Sequence, residues 1–246
     1  MNVALFVPCY IDQLYPRVAI ATLHLLEKLG CTVHVPLNQT CCGQPMANAG
    51  SERDSLGAMH HFVDVFHRYD YIITPSGSCA LHVKEHYDTL GERVDVRHVR
   101  ARTYELSQFL TDVLKVTSLP AAFPQKVGLH ASCHGLRGLR LACSSELHAP
   151  PYDNVRRLLE LVDGLEVVDL TRPDECCGFG GTFAVSEEAV SVRMGIDRLQ
   201  DHLEHGVDVI TGTDMSCLMH LEGLARRSRL PVRILHFAEI LNGGSA

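Results

Sequence analysis

At 246 residues, the chain is long enough for one large domain or for two of about 120 residues, each able to bury a core without covalent staples. A net charge of −7, with no run of Lys or Arg, argues against a nucleic-acid groove. No apolar run reaches the roughly 18 residues of a membrane span, and Met1 to Pro8 lacks a signal peptide's basic start. A cytoplasmic protein is expected, in which ten cysteines are thiols or metal ligands rather than disulfides.

Asn2 to Pro8 reads as a strand. From about Tyr15 the spacing of Val18, Leu23, Leu26 and Leu29 predicts a helix, closed by Gly30 as a C-terminal glycine cap. Thr32 to Leu37 reads as a strand, Asp54 to Tyr69 as a helix and Tyr71 to Thr74 as a third strand. The pattern then recurs. Lys126 to His130 is a strand, Asn154 to Val162 a helix, Glu166 to Leu170 a strand, Glu187 to Leu203 a helix and Val207 to Thr211 a strand. Alternating strands and helices predict an α/β fold of two pseudo-repeated halves, each a small parallel sheet flanked by helices. Thr117 to Pro124 holds two prolines in eight residues and reads as a linker, which divides the chain into 1–123 and 124–246.

The cysteines repeat in phase with these halves. Cys9, Cys41-Cys42-Gly43 and Cys79 in the first correspond to Cys133, Cys176-Cys177-Gly178 and Cys217 in the second. Cys9, Cys79, Cys133 and Cys217 each follow the carboxyl end of an expected strand, the edge at which open α/β sheets bind ligands. Helices starting just downstream would aim backbone N–H groups at such a site and favour thiolates. Gly43 and Gly178 permit positive φ, so a tight turn can bring two neighbouring thiols onto one object. Four thiols per half suit either zinc or an iron-sulfur cluster, and adjacent cysteines favour the cluster, where each can bind its own iron. Cys31, at the far end of the second strand, is expected in the core, and a packing role is expected for Cys143.

Among the fifteen histidines, His130 and His134 bracket Cys133, and either could donate a hydrogen bond to a cluster sulfur. His82 and His86, four apart on a helix, read as packing or solvent-facing groups. Gly178 to Gly181 lacks the spacing of a phosphate cradle, and no nicotinamide or flavin fingerprint accompanies it.

Longer strings carry a resemblance: Leu29-Gly-Cys, Cys41-Cys-Gly-Gln-Pro, Pro75-Ser-Gly-Ser-Cys79, His130-Ala-Ser-Cys133, Cys176-Cys-Gly-Phe-Gly-Gly-Thr-Phe183 and Ser216-Cys217. Over nearly its whole length the chain resembles the cysteine-rich CCG-domain family, which includes the cysteine-rich subunit of heterodisulfide reductase and the glycolate oxidase iron-sulfur subunit. Within that family it is most similar to a lactate-utilisation group of stand-alone paired domains. The resemblance implies an iron-sulfur electron-transfer subunit of a cytoplasmic complex that oxidises L-lactate to pyruvate, with two partner subunits, one of them also an iron-sulfur protein. The heterodisulfide reductase relatives hold each cluster with five cysteines. Ser76 and Asp214 stand here where those relatives have a fifth, which implies either [4Fe-4S] clusters on four thiols or extra oxygen ligands, unless both residues serve only as local turn formers. A cluster-based thiol or disulfide reductase and a zinc-stabilised interaction module are the alternative functions.

Overall fold

Parallel strands need a crossover of a dozen residues or more, and within each half the chain supplies a helical one between every successive pair of strands. The computed structural model describes residues 1–244. In the first half, β1 (Asn2–Leu5), β2 (Thr32–His34), β3 (Ile72–Thr74) and β4 (Thr103–Glu105) form a sheet of order β2-β1-β3-β4. In the second, β5 (Lys126–His130), β6 (Glu166–Val168), β7 (Val209–Gly212) and β8 (Arg233–Ile234) form one of order β6-β5-β7-β8. All pairings are parallel, so the halves share one topology. The inner strands β3 and β7 are wholly buried, whereas the edge strands β2 and β6 are not.

Sequence patterning predicts three strands per half, and the structure adds β4 and β8. Three and two residues long, these are too short to show periodicity, and both pair at a sheet edge. The first expected helix is Pro16–Lys28, and a short helix that the pattern does not predict, Cys9–Leu14, precedes it. Pro16 lacks the N–H that would continue the earlier helix, and it starts the later one at a position where none is needed. Gly30 ends that helix as expected: its φ is 83°, its N–H donates to Glu27 O at 2.9 Å, and Cys31 N donates to Leu26 O at 3.0 Å.

The segment read as a linker is packed. Val116, Leu119 and Phe123 belong to one core with Leu25 and Leu26 of the first half and Leu158 and Phe237 of the second. Phe123 N donates to Asp163 O at 2.8 Å, and Asp163 N donates to Ala121 O at 2.9 Å. The last described helix, Phe237–Leu241, packs on Pro16–Lys28, and Arg17 Nε lies 2.9 Å from Glu239 Oε1.

Two buried residues in equivalent positions cap the helices that follow β4 and β8. Glu105 Oε2 accepts from Ser107 N at 2.7 Å and Gln108 N at 3.3 Å, and His236 Nδ1 accepts from Ala238 N at 3.2 Å. Burial pushes Glu105 up to about 8 and His236 down to about 4, so each carries a penalty when charged. For Glu105 the folded pKa lies above the unfolded one; the penalty is absent below the unfolded value near 4.5 and grows as pH rises towards 8. Glu105→Gln, which keeps an acceptor for the cap, is expected to raise stability at pH 8 by roughly 2–4 kcal/mol and to leave it nearly unchanged at pH 4.5. Urea denaturation at the two pH values checks this; an equal effect at both would refute it.

Candidate metal centre

The first cysteine set forms at the carboxyl edge of β1 and β3. Pro8 precedes Cys9, which opens the helix Cys9–Leu14, and Cys79 lies in the first turn of the helix Gly77–His86. Between them the chain turns sharply at Gly43, where φ is 94°. A Cβ there would stand 3.1 Å from Met59 Cγ and 3.2 Å from Ser55 O, so both backbone angle and space call for glycine. The turn aims Gly43 N–H at Cys41 Sγ, 3.3 Å away. Cys9 Sγ lies 3.9 Å from Cys41 Sγ, and Cys42 Sγ lies 3.5 Å from Cys79 Sγ. None of the four is in a disulfide.

The second set is built the same way. Gly178, with φ 85°, directs its N–H to Cys176 Sγ at 3.4 Å, and a Cβ there would fall 2.5 Å from Ser191 O. Cys217 sits in the first turn of the helix Met215–Arg227. His130, the last residue of β5, brings a ring nitrogen to the Sγ atoms of Cys177 and Cys217, the three mutually within 4.8 Å.

Charge is distributed alike in both sets. Hydrogen bonds from the Cys42 and Cys9 thiols outweigh burial and hold Cys41 at about 3. Cys176 is held at about 2 by bonds from Cys133 and Cys177. The donors move the other way: Cys9, Cys42, Cys133 and Cys177 are raised, first by those hydrogen bonds and then by burial. Each set thus holds one thiolate, Cys41 or Cys176, that accepts from two thiols whose own ionisation is disfavoured. Ionising the rest without a cation would bury repelling like charges, so the donor set fits a polyvalent metal or an iron-sulfur cluster.

Both sets open on one cavity of about 370 Å³, lined by every skeleton cysteine except Cys41. A larger cavity, about 560 Å³, lies against β6 and carries Cys143 but none of the eight. Cys31 is 7% exposed in the core, as the strand geometry predicts.

The halves meet through reciprocal contacts. Tyr10, which follows Cys9, packs edge-on against Phe179, which follows the second Cys-Cys-Gly, with ring centroids 6.2 Å apart. His134, which follows Cys133, lies 3.5 Å from Gln44, which follows the first Cys-Cys-Gly. Ser76 and Asp214 also face each other. Asp214 Oδ1 accepts from Ser76 Oγ at 3.0 Å and Ser78 Oγ at 2.7 Å; Oδ2 accepts from Ser78 N at 2.9 Å and Ser132 Oγ at 3.1 Å. Ser76 Oγ also accepts from Cys79 N at 3.3 Å, the local turn bond expected of it, while Asp214 bonds across the joint instead.

Sequence reasoning took His82 for a packing or solvent-facing group, which its burial agrees with, and passed over His220, although Cys79-Ala-Leu-His82 and Cys217-Leu-Met-His220 repeat a Cys-x-x-His spacing in phase. His82 is buried and lowered to about 4 by burial and His86, against an upward pull from Cys41. His220 is lowered by burial, against the pull of Ser191's backbone and Cys176. Each stands in the field of its own half's charged sulfur.

The sequence model of the CCG family, described as a cysteine-rich domain, matches residues 3–84 and 127–222. The chain is 42% identical over 250 residues to Lactate utilization protein A of Exiguobacterium sp., covering 99% of this chain and 98% of that protein. It is 42% identical over 246 residues to Lactate utilization protein A of Anoxybacillus flavithermus, covering 98% and 99%. A crystal structure of a hypothetical protein from Helicobacter pylori matches the fold with a TM-score of 0.66 at 13% identity, over 98% of this chain and 48% of that one.

Because Asp214 accepts four hydrogen bonds while 1% exposed, Asp214→Ala leaves several buried donors unpaired. It is expected to cost about 3 kcal/mol or more, against about 1 kcal/mol for Ser76→Ala. Denaturant titration of the metal-free, reduced protein reads both; equal small losses would refute the network's role.

Proposed function

Because the chain belongs to the cysteine-rich CCG-domain family, we propose that it is an iron-sulfur electron-transfer subunit of a complex that oxidises L-lactate to pyruvate. Cys9, Cys41, Cys42 and Cys79 hold one centre, and Cys133, Cys176, Cys177 and Cys217 hold the other. The observation that carries the reading is the pair of four-thiol sets opening on one cavity, in a chain 42% identical, end to end, to proteins named for lactate utilization.

An iron-sulfur cluster, when bound, supplies reversible one-electron chemistry at a potential set by its surroundings. The chain's own groups set those surroundings. The Gly43 and Gly178 amides donate to Cys41 and Cys176, which stabilises negative charge on sulfur. Tyr10 and Phe179, packed edge-on, line the cavity between the two sets. Converting a hydroxyl to a keto group releases two electrons and two protons, and two one-electron sites match that count. Two further subunits, one an iron-sulfur protein, would receive the electrons.

A second reading rests on the sulfur spacing. Four thiolates about 2.3 Å from one zinc ion stand about 3.8 Å apart, close to the 3.9 and 3.5 Å seen in the first set. Zinc would make the protein a stabilised interaction module without redox activity.

Metal analysis separates the two. Protein purified without oxygen is expected to carry iron and acid-labile sulfide and to bleach on reduction; iron-free, zinc-loaded protein would overturn the redox reading. Cys41→Ala and Cys176→Ala are each expected to remove only part of the iron. Complete loss from either change would mean one shared centre.

A further inference from the structure

His130 is a buried polar group without a partner. Its side chain is 2% exposed, and neither ring nitrogen has a hydrogen-bond partner among the described residues. Leaving an imidazole in that condition is costly, so its position calls for a function. One ring nitrogen is aimed at the second centre, with the Sγ atoms of Cys177 and Cys217 mutually within 4.8 Å of it.

A buried polar layer adjoins this stretch of β5. Two residues earlier on the same face of β5, Gly128 has no side chain, and His202 fills the space; a Cβ on Gly128 would fall 2.2 Å from His202 Nδ1. His202 Nε2 in turn lies 3.1 Å from Arg198, whose fully buried guanidinium pairs with Asp201 at 3.0 Å.

The first half has no histidine at the matching position. The residue three positions before Cys9 is Phe6, which packs edge-on against Phe62 and Phe66 with centroids 4.8 and 5.7 Å away. The cysteine skeleton is symmetric, and this position is not.

We propose that His130 is a fifth donor to the second centre, binding through an imidazole nitrogen beside Cys133, Cys176, Cys177 and Cys217, while thiolates alone hold the first. This rests on the iron-sulfur reading above. The two centres are then chemically distinct, and a change at His130 alters the spectrum of one only.

The test is pulsed electron paramagnetic resonance on the full chain, purified without oxygen and reduced, with natural-abundance and 15N-labelled histidine compared. A coupling of the size of a directly bonded nitrogen, shifting with the isotope, is expected in the unaltered protein. It should persist in Cys41→Ala and vanish in His130→Phe, which copies the first half and should keep the first centre's iron. The isotope comparison on unaltered protein decides the matter even if that variant fails to fold. Iron-loaded protein without a histidine coupling, or with one unchanged in His130→Phe, overturns this proposal alone. Iron-free protein overturns the cluster reading and this proposal with it.

Discussion

Asp214 is where the two halves are made one. Its carboxyl group accepts two hydroxyl bonds and one amide bond from Ser76 and Ser78 of the first half, and a hydroxyl bond from Ser132 of the second. Ser76 caps the helix carrying Cys79, Asp214 stands at the start of the helix carrying Cys217, and Ser132 adjoins Cys133. Three of the segments that present sulfur to the cavity are therefore fixed through one buried side chain. A carboxyl group so placed makes sense only if every bond is made at once, since each unpaired donor costs on the order of 1–3 kcal/mol in the interior. The thiols depend on it for their relative placement.

Much of this was legible in the sequence, for local reasons. A strand followed by a cysteine, or two cysteines followed by glycine, is a statement about a few consecutive residues, and its recurrence in phase fixes the correspondence of the halves. The positive φ at Gly43 and Gly178 and the core position of Cys31 follow from the same local rules. What was hidden is non-local. Ser76 and Asp214 are 138 positions apart, and a serine before a helix reads as a cap whether or not a carboxyl group from the other half also reaches it. The spacing from Cys79 to His82 was visible, but i, i+3 pairs on a helix are too common to single out until burial shows the ring beside charged sulfur. Edge strands as short as β8 carry no pattern, and the proline-rich stretch at 117–124 looks like a spacer because its buried Leu119 and Phe123 are only two large apolar residues among Thr, Ser, Pro and Ala.

The two centres share a frame but not an environment. The first is backed by an aromatic cluster in which Phe6, Phe62 and Tyr87 stack edge to face, and Tyr87 donates to the Cys42 carbonyl at 2.8 Å. The second is backed by His130, His202 and Arg198, a polar layer with a buried cation. An apolar wall lowers the local dielectric and disfavours added charge, whereas a fixed cation favours added negative charge. Equal ligand spacing in sequence is thus compatible with unequal surroundings for charge on the two sets of thiols.

The contacts between Tyr10 and Phe179 and between Gln44 and His134 join equivalent positions in opposite order. A surface that pairs i with j and j with i is the self-complementary face of a two-fold dimer, and two copies of a single half would close on each other in the same manner. In such a dimer every substitution is made twice, so neither site can change without its twin. Joining the copies through the packed segment at 117–124 lifts that restriction. Phenylalanine behind one set of thiols and histidine behind the other is an arrangement that identical subunits cannot build.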